Sequence, residues 1–162
     1  RVDTRLLHGQ VATGWTHSTH PDRIIVVSDT VCHDKLRTNM IKQAAPSGVQ
    51  VHVIPIKNMV KANNDPRFGD TRAMLLFESV EDALAAVKAG VDVKEINLGS
   101  SAYKEGKVNV TKALSFDQTD VDAIKELQSL GVKFDVRGVP SDSPANVDTL
   151  IKSAETKLAE KK

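Results

Sequence analysis

Two arginines, an aspartate and a histidine fall within the first eight residues, Arg1-Val2-Asp3-Thr4-Arg5-Leu6-Leu7-His8, and Gly9-Gln10-Val11 follows at once. Histidine has an unperturbed pKa of about 6.5, so a neutral, nucleophilic imidazole is largely available near pH 7. Arg5, three residues earlier, offers a guanidinium fork that matches phosphate oxygens. Gly9 lets the backbone pass close to whatever the ring carries. If residues from Gly9 onward open a helix, their unpaired N–H groups favour an anion at the same point. The pattern reads as a histidine that handles phosphate. The competing reading is a structural or solvated histidine. Position favours chemistry, because α/β sheets place ligands on loops outside the carboxyl ends of their strands.

The elements that must position this loop follow from hydrophobic pattern and turn residues. Val11, Ala12 and Trp15 have helical spacing, and Pro21 stops that helix. Ile24-Ile25-Val26-Val27 is a continuous β-branched run suited to a parallel strand covered on both faces. Asp29 or Thr30 is expected to cap a helix running to about Ala45, before Pro46-Ser47-Gly48 turns the chain. Val49 to Ile54 reads as a strand, and a shorter helix after Pro55 ends at Asn63-Asn64-Asp65-Pro66. Ala73 to Phe77 is a further strand. Ser79 to Asp82 has capping-box spacing for a helix through Ala89, closed by Gly90.

Lys94 to Leu98 is the next strand, and Ala102 to Val110, with a turn at Gly106, predicts an antiparallel hairpin at the sheet edge. Asp117 caps a helix to Leu130, Gly131 stops it, and Val132 to Val136 returns to the sheet. A last helix begins near Ala145. The alternation predicts a single α/β domain over residues 1–162, an open, mainly parallel sheet with helices on both faces and an antiparallel edge hairpin. Asp29 and Gly99 both follow strands and would share the rim of such a sheet, as candidates for the pocket wall.

Composition excludes more than it selects. The 162 residues suffice for one domain with a substantial core, and a net charge of +1 gives no electrostatic reason to expect nucleic acid. The single cysteine, Cys32, precludes an intrachain disulfide and suits a reducing compartment. No apolar run approaches the roughly 18 residues of a membrane span, and no signal peptide is visible. His17 and His20 lie three apart but have no third ligand nearby, and Cys32-His33 is too isolated to complete a metal site. His52, between Val51 and Val53, reads as a strand-face residue. Gly99 to Lys107 fails as a phosphate-binding loop, since its glycines are wrongly spaced and Val108 stands where Ser or Thr must hold magnesium. No metal site and no cofactor are expected.

The run Arg1 to Val11 resembles the signature R-[IV]-D-x-R-L-x-H-G-Q-V of IIB components of the bacterial sugar phosphotransferase system, in the mannose–fructose–sorbose class. The likeness continues through Ile24 to Asp29, Gln43 to Gly48, Met74 to Phe77, Gly90-Val91, Ile96 to Gly99 and Gly106-Lys107. It implies that His8 accepts phosphate on Nδ1 from a phosphohistidine of a IIA protein and passes it to a sugar entering through the membrane subunits IIC and IID. It implies further that Gly9 and Gln10 supply backbone N–H groups to the phosphate, and that Arg5 neutralises its charge. Asp3 either orients Arg5 or the imidazole, or simply holds the loop. A cytoplasmic protein peripherally associated with its transporter is expected, and a homo-oligomer is compatible with the resemblance. Because the chain starts at Arg1, inside what the family uses as its first strand, a few strand residues are expected to precede it. Gly138-Val139-Pro140 is similar to the N-acetylgalactosamine branch, whereas Ala45 to Gly48 is similar to the mannose and sorbose branches; together they lean weakly toward an amino sugar.

Two other classes stand beside the carrier: a nucleotide- or metabolite-binding α/β module, which lacks either glycine-rich fingerprint, and a metal-dependent hydrolase, which lacks a ligand set. Histidine-to-histidine transfer can proceed with protein donors alone. Incubation with EDTA is therefore expected to leave the rate of phosphorylation unchanged. A loss of rate that zinc or magnesium restores would contradict this reading.

Overall fold

The computed structural model describes residues 1–9 and 11–162. Eight strands are present among the described residues: β1 (Val2–Asp3), β2 (Arg23–Val27), β3 (Gln50–Ile54), β4 (Ala73–Leu76), β5 (Glu95–Ser100), β6 (Val108–Asn109), β7 (Ser115–Phe116) and β8 (Lys133–Val136). Three of them pair in the order β3-β2-β4 and three in the order β1-β5-β8, all parallel. Backbone bonds from Asp3 N to Phe77 O (3.0 Å) and from Phe77 N to Arg1 O (2.9 Å) join the two sets through a parallel Val2–Phe77 bridge. The result is one open sheet in the order β3-β2-β4-β1-β5-β8. The first strand in sequence is thus interior to the sheet, between β4 and β5.

Alternation along β2 sends Ile24 and Val26 to one face and Ile25 and Val27 to the other, and the core divides accordingly. On the first face lie the helical segment built from a π-turn at Val11–Trp15 and α1 (Thr16–Thr19), and α2 (Lys35–Gln43) with its buried Ile41. On the second lie α3 (Ile56–Asn63), α4 (Val80–Lys88), α5 (Gln118–Ser129) and α6 (Val147–Glu160). The chain leaving β1 crosses to the first face, while the chains leaving β4 and β5 on either side cross to the second. This divergence opens a crevice at the carboxyl end of β1, where ligands bind in such sheets.

Two expectations are corrected in detail. The helix placed after Asp29 or Thr30 begins instead at Lys35, because Asp34 caps it: Arg37 N donates to Asp34 Oδ1 at 3.0 Å. Ser28 Oγ accepts from Val31 N (3.1 Å) and holds a separate short turn ahead of it. The antiparallel hairpin exists, but as β6 with β7, and its turn lies at residues 110–114 rather than at Gly106. Thr111 Oγ1 accepts from the amides of Ala113 (3.2 Å) and Leu114 (3.0 Å), which closes that turn without glycine. The register buries Val108, Leu114 and Phe116. The pair extends the carboxyl end of β5 through Ser101, which exchanges backbone bonds with Ala113 and Ser115, both 2.9 Å.

Asp117 caps α5 as expected, in a reciprocal box in which Asp120 Oδ2 accepts from Asp117 N at 2.9 Å. Asp120 is buried, and Lys107 Nζ sits 2.7 Å from its Oδ2. Burial pushes the Asp120 carboxyl up to about 6, against the hydrogen bonds from Lys107 and Asp117. The folded protein therefore holds a proton here that the unfolded chain releases near pH 4. Stability contributed by Asp120 is complete below about pH 4 and is lost as pH rises through about 6. Urea midpoints measured from pH 4 to 7 should fall less steeply for Asp120→Asn than for the wild type.

Candidate functional site

The loop leaving β1 starts as a turn in which Leu6 N donates to Asp3 O at 2.9 Å. Leu6 has a left-handed backbone with φ of 58°, an unusual conformation for a bulky residue. Its side chain and that of Leu7 are buried against the core of the first face, which fixes the turn and leaves His8 at the surface of the crevice. The helix begins directly after it, with Ala12 N donating to His8 O at 2.8 Å. Thr13, Thr16 and Thr19 return hydroxyl bonds to the carbonyls of Gly9, Ala12 and Trp15 respectively. Such back-bonding bends helices, and here it accompanies the π-turn over Val11–Trp15.

Asp3 is the centre of the arrangement. Its carboxylate is fully buried. Oδ2 lies 2.9 Å from Arg1 Nη2 and 3.0 Å from His8 Nε2; Oδ1 accepts from Arg5 N at 2.9 Å and lies 3.5 Å from Arg5 Nε. Burial alone would push the carboxyl up, but the hydrogen bonds from His8, the Arg5 amide and Arg1 outweigh it and hold it below its ordinary value. An ionised carboxylate only accepts, so Nε2 of His8 carries the proton, and in the neutral ring the lone pair is left on Nδ1. Asp3 thus touches the groups named in both alternatives left open for it, the imidazole and the backbone of the loop.

Arg5 remains 58% exposed while its Nε reaches the same carboxylate as His8, so its guanidinium stands next to the ring and free to meet a ligand. Gly9 has open space where a Cβ would be. Gln10 lies outside the described residues. Asp29 is exposed at the rim, and its Oδ1 accepts from Ile56 N at 2.8 Å, at the start of α3. Gly99 lines a cavity with Leu98, Thr111 and Gly138, and a Cβ there would overlap the Arg1 guanidinium.

Arg1 is a site residue that no sequence signal assigned, although the alternation of Arg1 and Asp3 along a strand already puts them on one face. Its Nη1 donates to Asn97 Oδ1 at 2.5 Å. Its Cζ and that of Arg137 each lie 5.3 Å from the Trp15 ring centroid, and Trp15 Nε1 donates to Gly138 O at 3.0 Å. Trp15 is buried as expected, yet in contact with two cations. A cavity of about 460 Å³ is lined by Arg1, Trp15, Asn97 and Arg137 and does not reach His8. His52 faces Arg23, 3.1 Å from its Nη1, on the strand as read. Among the described residues, Glu81, Asp117 and Asp120 form a group with metal-like spacing; the Lys107 ammonium already occupies its Asp120 side.

The sequence matches the family model described as "PTS system sorbose subfamily IIB component" over residues 1–162. The chain belongs to this family. It is 41% identical over 151 residues to the mannose-specific EIIAB component of Escherichia coli K12, covering 93% of the chain and 47% of that protein. The chain thus spans about half the length of this relative. It superposes on the crystal structure of the IIBSor domain of the Klebsiella pneumoniae sorbose permease with a TM-score of 0.90, at 38% identity and 94% coverage of both chains. The N-acetylgalactosamine-specific IIB component 2 of E. coli is more distant, 31% identical over 152 residues, 93% of the chain and 96% of that protein. Phosphotransferase-system membership and the α/β fold with its small antiparallel pair therefore stand as read, while the lean toward an amino sugar draws only on the more distant of these likenesses. No helix among the described residues is long and apolar enough to cross a membrane.

Gly99→Ala should force Arg1 from its seat and destabilise the protein by about 1–3 kcal/mol, the range for strain at a buried charged network. Trp15 is the sole tryptophan. Its fluorescence should therefore change in this variant together with the melting temperature. An unaltered spectrum would mean that Arg1 does not depend on Gly99.

Proposed function

We propose that the chain is a phosphoryl carrier in which His8 takes a phosphoryl group on Nδ1 from the phosphohistidine of a IIA protein and delivers it to a sugar of the mannose–fructose–sorbose class. The observation that supports this most is the single buried carboxylate of Asp3 held between His8 Nε2, Arg1 and the Arg5 amide. A merely structural histidine needs no such tautomer control. The E. coli relative joins A and B parts in one chain by its name, which agrees with a IIA donor that meets this surface. On this reading the carrier works in the cytoplasm and docks on the IIC and IID membrane subunits through which the sugar enters.

The steps follow from the chemistry of the loop. The Nδ1 lone pair attacks phosphorus in line as the donor's N–P bond breaks, and the donor imidazole leaves with that electron pair. Attachment makes the His8 ring cationic apart from the phosphate, and the Asp3 carboxylate at Nε2 offsets that charge. Arg5 is placed to meet the equatorial oxygens, where catalysis of phosphoryl transfer rests mainly on positioning and charge stabilisation. In the second half the sugar hydroxyl attacks phosphorus, its proton is released, and the N–P bond returns its electrons to Nδ1. No step calls on a cofactor.

His8→Ala should fold and lose all phosphorylation, whereas replacing His17, His20, His33 or His52 should leave the protein competent. Arg5→Ala should slow transfer by about 10²–10³-fold with little change in donor docking, and Arg5→Lys should recover part of the rate because it keeps the charge but loses the fork. Phosphate mapped by mass spectrometry to another histidine, or failure of any acid-labile phosphate to form with the donor proteins, would refute the carrier and leave a binding module.

A further inference from the structure

Asn97 lies on β5, one strand away from the His8 loop, and its amide is committed at both ends. Nδ2 donates toward Asp135 Oδ2 (2.9 Å), Asp135 O (3.2 Å) and Arg137 O (3.2 Å) on and after β8. All three are acceptors, so the orientation of the amide is set by chemistry, and only Oδ1 is available to Arg1 Nη1. The Arg1 guanidinium is 4% exposed, and its Nε has no hydrogen-bond partner among the described residues. It is therefore held by Nη2 on Asp3 and Nη1 on Asn97, with a longer contact of 3.4 Å to Arg137 O.

We propose that Asn97 is a positioning residue for His8, acting through Arg1 and Asp3 by a continuous line of partly buried hydrogen bonds from β8 to the nucleophile. This rests on the carrier reading above. The links are Asp135 to Asn97, Asn97 to Arg1 at 2.5 Å, Arg1 to Asp3 at 2.9 Å, and Asp3 to His8 at 3.0 Å. Arg1 and His8 share one oxygen, Asp3 Oδ2. The direction from which Arg1 approaches that oxygen thus decides which lone pair remains for His8 Nε2, and with it the tilt of the ring and the aim of Nδ1. Asn97 sets that direction. Without it, one end of a buried cation loses its strong acceptor and the guanidinium turns toward the carbonyls or further onto Asp3. Either movement disturbs the angle offered to His8 while leaving every residue of the loop in place.

Two variants test this in the full chain. Asn97→Leu keeps the heavy-atom count and branching of the side chain, though it is bulkier, and removes both ends of the relay. It should lower the rate of phosphoryl transfer about tenfold, with the KM for the phosphorylated donor unchanged within about a factor of two, as for other supporting hydrogen-bond partners. In protein carrying 15N-labelled histidine, the His8 signals should move from a clean Nε2–H pattern toward a mixture of tautomers. Asn97→Asp is isosteric. It keeps an acceptor for Arg1 but loses the donor toward Asp135 and the Arg137 carbonyl, so its rate deficit should be smaller than that of Asn97→Leu.

A folded Asn97→Leu that transfers at the wild-type rate with wild-type ring signals would overturn the proposal. So would a deficit confined to KM, or an Asn97→Asp deficit as large as that of Asn97→Leu. If wild-type His8 accepts no phosphate, the carrier reading fails on its own, and the tautomer signals still decide whether Asn97 governs the ring.

Discussion

Everything at this site depends on keeping one ionised carboxylate, that of Asp3, inside the protein. Moving such a charge out of water costs several kcal/mol unless partners replace the lost hydration. Here the partners are the Arg1 guanidinium, the Arg5 amide and the His8 ring, and each is bound in return by the geometry it confers. The demand explains features that otherwise look unrelated. Glycine stands at position 99 because the Arg1 side chain fills the space above it, and Trp15 covers the same guanidinium from the helical segment. The His8 ring is thereby oriented by the interior of the sheet, while its Nδ1 edge stays at the surface.

The loop divides the work between rigid and open parts. Leu6 and Leu7 are anchored in the core, and the strained backbone of Leu6 is held in place by that burial. Arg5 points outward from the same turn. On the carrier reading, an incoming phosphate meets an imidazole held by Asp3 beside an exposed cation.

Much of this was legible in the chain because the eleven residues from Arg1 to Val11 are contiguous and chemically unusual. The strands and most helix caps were legible too, since β-branched runs and Asp or Ser before helices act locally. The misreadings share a cause. Thr111 closes the β6–β7 turn with its hydroxyl, and Asp34 takes the capping role expected of Asp29, in both cases because several candidates compete and burial of distant residues chooses among them. Asn97, Arg1 and Gly99 were invisible as a set because their relation is purely spatial, across neighbouring strands and about a hundred residues of sequence. Gly99 could be placed on the rim, but only the position of Arg1 reveals what the missing side chain makes room for.

The interior place of β1 also bears on synthesis. The ribosome delivers His8 before the strands that flank it, since the strand preceding it has Phe77 on one side and Leu98 and Ser100 on the other as its hydrogen-bonded neighbours. Until synthesis has passed Ser100, neither the crevice nor the support for Arg1 exists. The histidine is thus made early and supported late: an unfinished chain carries the ring without the means to orient it.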